Sequence, residues 1–108
     1  GTSTPKGDTN EIACLREVFG NGLASLPVSS NKSQIGHTLG AAAAIEGALT
    51  IEGMRRGILL PTMNHIPDPA FDGVDVIPNE PRRASYELAL SNAFGFGGTN
   101  CCVVFRGV

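Results

Sequence analysis

The chain has little positive charge, no long apolar run and no metal-spaced cysteines, and each lack excludes a class of function. Its 108 residues include 8 Lys+Arg against 10 Asp+Glu, a formal net charge of −2. No basic cluster exceeds Arg55-Arg56 or Arg82-Arg83, too little to grip nucleic-acid phosphates. No apolar run nears the ~18 residues that a bilayer span requires, so no membrane partner is expected. The opening Gly1-Thr2-Ser3-Thr4-Pro5-Lys6-Gly7-Asp8 is unlike a secretory signal. An initiator Met is missing, which points to a fragment or a processed product. Cys14, Cys101 and Cys102 form an odd set without metal-ligand spacing. They read as reduced, packed thiols of a cytoplasmic protein, and no metal is expected. Internal repeats and low-complexity tracts are also lacking.

What is present is an apolar fraction of 42%, enough for a sizeable core in one domain over 1–108. Glycine is overused, with 14 residues against an average usage of roughly 7%. Half of these glycines lie in three places: Gly1 and Gly7, Gly36 and Gly40, and Gly95, Gly97 and Gly98. Glycine gathered in discrete turns marks close backbone approach.

The apolar spacing of Ile12, Leu15, Val18 and Phe19 predicts a helix from about Asp8 or Thr9 to Phe19. Asp8 and Glu11 open it like a capping box, and Gly20-Asn21-Gly22 stops it. Leu26-Pro27-Val28-Ser29 reads as a short buried strand. A second helix is expected from Gly36 or His37 to Arg55. It is apolar on nearly every face, the mark of a buried helix, and Arg55, Arg56 and Gly57 close it. Proline at 61, 67, 69, 78 and 81 argues against regular structure over 58–83, except for a short strand at Val74–Ile77. Tyr86–Ser91 and Cys101–Phe105 read as strands flanking Asn92–Asn100. The order of elements predicts an α/β class.

Three constellations can carry chemistry, and each has a plainer reading beside it. His37 falls at the expected mouth of the second helix, where unpaired N–H groups favour a neutral ring able to donate one hydrogen bond. It can equally be a satisfied structural histidine, and Lys32 a solvated lysine. Asp8 and Glu11 can be helix caps alone. Gly95-Phe96-Gly97-Gly98 is not a phosphate loop: its order differs from G-x-G-x-x-G, and a strand follows it rather than a helix. It fits either a structural hairpin loop or a turn whose N–H groups face an oxyanion.

Taken together, Gly1-Thr2-Ser3-Thr4-Pro5-x-Gly7-Asp8, Lys32-Ser33-x-x-Gly36-His37 and Phe94-Gly95-Phe96-Gly97-Gly98-Thr99-Asn100 resemble the C-terminal quarter of the β-ketoacyl-acyl carrier protein synthases. The resemblance covers essentially the whole chain. It implies part of a thiolase-like layered α/β fold, a C-terminal half-domain with a mixed sheet and a buried helix. It implies decarboxylative condensation of an acyl thioester with a malonyl thioester, in fatty acid or polyketide elongation. His37 matches the second of two family histidines that stabilise charge on the malonyl carbonyl oxygen. Lys32 matches a lysine in a charge network with the acids matching Asp8 and Glu11. Thr2 and Thr4 match hydroxyls that bind the phosphopantetheine arm of acyl carrier protein. Phe96 matches a gating residue with an oxyanion-hole N–H, within a substrate-side loop that includes Phe94, Gly95 and Gly97.

The family's first histidine precedes the Gly-Thr-Ser-Thr run, and its nucleophilic cysteine lies far upstream. A chain starting at Gly1 is therefore expected to be inactive alone. A homodimer of the intact protein, acyl carrier protein as partner and no bound cofactor are further implications. The alternatives are a non-condensing partner subunit similar to chain-length factors, and a plain nucleotide-binding module.

Overall fold

Residues 1–107 are described by the computed structural model, and the expected domain span 1–108 ends on Val108, outside the described residues. The chain forms two compact units. The first holds Gly1–Gly36 and Leu60–Arg82; the second holds His37–Leu59 and the chain from Arg83 onward. Helices and strands both occur, as the α/β class requires.

The first unit is built on helix α1, Gly7–Phe19, within a residue or two of its expected start. Gly20 ends it with φ +51, a conformation that suits glycine, and a 3₁₀ stretch follows over Gly20–Ser25. Ile12 and Leu23 are buried. The expected capping box does not form: α1 has no side-chain cap, because Asp8 and Glu11 turn back to Gly1. The expected strands at 26–29 and 74–77 are absent too. Pro27 has no N–H to donate, and Asp75 spends its carboxylate on the Ile77 amide and the Arg82 guanidinium. What remains of the pairing is one bond from the Val28 amide to the Asp75 carbonyl, 2.8 Å. The proline-rich stretch is ordered nonetheless. Asp68 caps the turn Pro69–Phe71, and the Arg16 guanidinium reaches from α1 to the Ala70 and Asp72 carbonyls. A four-residue helix α2, Lys32–Ile35, lies in the same unit.

The second unit pairs a helix with a hairpin. Helix α3 spans Ala42–Arg56, after a 3₁₀ turn at Leu39–Ala41. It starts later than expected because Gly36 (φ +76) and Leu39 (φ +52) are left-handed, and a right-handed helix cannot run through them. Gly57 closes α3 with φ +62, its N–H shared between the Gly53 and Met54 carbonyls. Glu52 holds Arg56 at 2.5 Å and Arg55 at 3.3 Å. Two-residue strands β1, Ile58–Leu59, and β2, Arg82–Arg83, precede the antiparallel hairpin of β3, Leu88–Phe94, and β4, Asn100–Arg106. Its register runs from Leu88 opposite Arg106 to Phe94 opposite Asn100.

Phe105 lies against Gly47 of α3, where an added Cβ would stand 3.3 Å from the ring. The hairpin can cover only one side of α3. Ala42, Gly47 and Gly53 are therefore buried while Ile45 and Ile51 stay exposed, so the helix is not buried all round. The same one-sided packing leaves Cys101 and Cys102 exposed, as Cys14 is on α1; none of the three is the packed thiol expected.

Candidate active-site segments

The first unit gathers Thr2, Thr4, Asp8 and Glu11 at the start of α1. One oxygen of Asp8, Oδ1, accepts from the Gly1 amino group at 2.7 Å, the Thr2 amide at 2.9 Å and the Ser3 amide at 3.2 Å. Burial pushes the Asp8 carboxyl up. In this chain the charged amino group at Gly1 and the two amides outweigh it and hold the carboxyl below its usual range. Glu11 accepts from the same amino group at 3.2 Å. The segment so tethered is curled: Ser3 has φ +58, and the Thr2 and Thr4 hydroxyls meet at 3.1 Å. The Gly7 amide donates to Thr4 Oγ1, also at 3.1 Å.

Lys32 opens α2 and is half-buried. Its neighbours fix that helix. Ser33 Oγ donates to the Ser30 carbonyl and accepts from the Met63 amide, at 2.7 and 2.8 Å. Gln34 Nε2 donates to the Pro61 carbonyl at 2.9 Å. Ser30 ties this region to Gly1, its hydroxyl donating to the Gly1 carbonyl at 2.9 Å. A shallow groove of about 530 Å³ over Leu60, Pro61, Met63 and Pro81 also lies in this unit, and none of the expected site residues lines it.

The second unit holds His37 and the hairpin loop. His37 is exposed and stands five residues before α3, not at its mouth. Its orientation comes from a nearer source than the helix field: the Leu39 amide donates to Nδ1 at 3.1 Å. A ring nitrogen that accepts carries a lone pair, so the neutral ring has its proton on Nε2, which is left to donate outward. The left-handed Leu39 is a rare conformation for a bulky residue.

At the other end of the unit, Gly95 to Thr99 closes the hairpin, with the Gly95 amide on the Thr99 carbonyl at 2.7 Å. Gly97 and Gly98 take φ +79 and +84. Phe96 is 95% exposed and Phe94 59%. Among the described residues no group of His, Cys, Asp and Glu is arranged to hold a metal ion.

Sequence reasoning passed over Ser30 and Glu46. Ser30 gave no signal, since an isolated serine before a short helix is ordinary. Glu46, 8% exposed, is the buried charged residue of α3. Its signal was legible: one acid inside the run Ala41-Ala42-Ala43-Ala44-Ile45-Glu46-Gly47-Ala48.

Residues 1–65 match the family model for the beta-ketoacyl synthase, C-terminal domain. The 3-oxoacyl-[acyl-carrier-protein] synthase 2 of Staphylococcus aureus is 41% identical over 107 residues, which are 98% of this chain and 26% of that protein. Nodulation protein E of Rhizobium meliloti is 41% identical over 100% of this chain and 27% of its own length. The chain thus spans about a quarter of the length of these curated relatives.

Among solved structures, a beta-ketoacyl synthase from Burkholderia phymatum STM815 is 44% identical with a TM-score of 0.91, and the match covers all of this chain and 26% of that one. A complex of a type II PKS acyl-carrier protein with its ketosynthase gives 36% and 0.95, with the same coverage. The α/β fold is accordingly that of the thiolase-like ketosynthases. On the family match, which takes in the Thr2–Asp8 segment, Lys32 and His37, the chain belongs to the beta-ketoacyl synthases and carries their C-terminal domain.

Proposed function

We propose that this chain serves as the C-terminal part of an acyltransferase, a β-ketoacyl synthase that elongates fatty acid or polyketide chains on acyl carrier protein. The observation that carries the reading is the hydrogen bond that orients His37. With Nδ1 accepting from the Leu39 amide, Nε2 is the ring nitrogen left free to donate, and the residue is exposed. Such a donor suits an oxygen that gains negative charge during reaction.

In the proposed reaction a cysteine supplied by the longer protein holds the acyl chain as a thioester. The malonyl carboxylate leaves as CO₂, and its C–C bonding pair passes into the thioester as an enolate. His37 Nε2–H stabilises the enolate oxygen. The carbanion carbon attacks the acyl carbonyl, and the cysteine leaves as thiolate. Phe96 gates the acyl side, and its backbone N–H receives the oxyanion of the tetrahedral intermediate. Gly97 and Gly98 let the loop carry that amide where a side chain would be strained. Lys32 completes a charge network with Asp8 and Glu11 that holds geometry and transfers no proton. Thr2 and Thr4 take the phosphopantetheine arm. No bound cofactor takes part, and the working protein is a cytoplasmic homodimer. Among the described residues, no helix is long and apolar enough to cross a membrane.

The test is made in the complete synthase that contains this sequence, with acyl and malonyl carrier protein. His37→Ala should lower condensation by about 100- to 1,000-fold, while acylation of the cysteine persists. Unchanged condensation would end the reading. A second reading, a chain-length-factor-like partner, has support from the ishigamide ketosynthase/chain length factor, 30% identical with a TM-score of 0.92. Under it, His37→Ala changes product length and not the rate.

A further inference from the structure

We propose that Gly7 is a positioning residue for the phosphopantetheine arm, its missing side chain being what allows Thr2 and Thr4 to present a paired hydroxyl site. The inference rests on the functional reading above.

Gly7 is not there for its backbone. Its φ is not among the positive values that glycines 20, 36, 57, 73, 97 and 98 adopt. It is the first residue of α1, where alanine is a better helix former. The reason is space. A Cβ on Gly7 would lie 2.5 Å from Thr4 Oγ1 and 2.7 Å from Thr2 Oγ1, both inside any real contact distance. The hydroxyls therefore occupy the very volume a side chain would fill. The Gly7 amide also anchors Thr4 Oγ1 at 3.1 Å, and the hydroxyls bond each other at 3.1 Å.

This arrangement fixes the hydrogen-bond capacity of the site. Two hydroxyls have two protons, and one is used between them. Whichever donates, one O–H is left for a ligand, with acceptor lone pairs beside it. One donor next to an acceptor is complementary to an amide, and the phosphopantetheine arm consists largely of amides. Asp8 sets the other end, holding the Thr2 and Ser3 amides so that the backbone between the hydroxyls cannot relax. Gly7→Ala can be absorbed by turning Thr2 and Thr4 about χ1, which preserves the helix and disperses the pair.

The experiment is a kinetic cycle in the complete synthase, comparing wild type, Gly7→Ala, Thr2→Ala/Thr4→Ala and the triple variant. KM for malonyl carrier protein, kcat and melting temperature are measured for each. Gly7→Ala should raise KM about tenfold, the scale of one lost hydrogen bond, with kcat and melting temperature nearly unchanged. In the background lacking both hydroxyls it should add nothing, since its target is gone. If Gly7→Ala unfolds the protein, the triple variant should recover the fold, because removing the hydroxyls makes room for the Cβ. A KM effect that is the same with and without the threonines overturns the proposal, as does loss of fold that the triple variant does not repair. If the threonine variant raises KM and Gly7→Ala does not, the inference fails and the functional reading stands. If neither moves KM, the arm-binding reading fails with it.

Discussion

At the scale of single residues, the side chains that matter are set by one or two hydrogen bonds from nearby backbone. His37 is oriented by the Leu39 amide and Thr4 by the Gly7 amide. Tyr86 shows the same device used for stability. Its hydroxyl donates to the Ile58 carbonyl at 3.0 Å, and burial raises its pKa above the usual tyrosine value. A raised folded pKa means the contribution is complete below the unfolded value of about 10 and is lost as pH rises through the folded value. Tyr86→Phe should therefore cost about 1 kcal/mol at pH 7. The difference from wild type should shrink as titration proceeds above pH 10, in urea unfolding at both pH values. A gap that does not change with pH would assign the effect to packing instead. Of these residue-level facts, the motif positions were legible in the sequence. The bonds were not, because they depend on local backbone geometry that residue types do not announce.

The elements were legible where local signals agreed. Helix α1 and the C-terminus of α3 follow from apolar spacing and from glycines at Gly20 and Gly57, and β4 falls on its apolar run; β3 starts two residues later than the alternation at Tyr86–Ser91 and runs on to Phe94, into the expected loop. The signal misled at 26–29 and 74–77, where residues of high strand propensity lack a partner able to complete a ladder. It misled again at the start of α3, where Leu39 takes a conformation rare for its type. The α3 terminus gives a test of this scale. Gly57 combines φ +62 with a close neighbour, since its Cβ would lie 3.3 Å from the Ala84 carbonyl oxygen. Gly57→Ala should destabilise by about 1–2 kcal/mol, the sum of left-handed strain and the lost ease of the cap. Thermal unfolding reads this directly, and a melting temperature at or above wild type would contradict it.

At the scale of the whole molecule, the chain buries few large side chains. Ile12, Leu23, Ala42 and Ile77 are the buried apolar residues among those described, while Leu88, Leu90, Phe94, Val103 and Val104 of the hairpin are exposed. Exposed apolar residues gathered on one hairpin mark a surface made to be covered. The 108-residue chain by itself should accordingly bind an apolar fluorescent dye or self-associate. A monomeric chain that leaves the dye dark would show that the hairpin needs no cover.

Sequence alone determined the family, the α/β class and the identity of the candidate groups, because motifs of fixed order and local apolar periods are written in residue types. Only the tertiary structure decided that Asp8 and Glu11 face Gly1, that the Leu39 amide meets Nδ1 of His37, that α3 is covered on one side and that Gly7 leaves room for two hydroxyls. Those outcomes come from where backbone amides and empty space lie in three dimensions, and neither is encoded by any single residue.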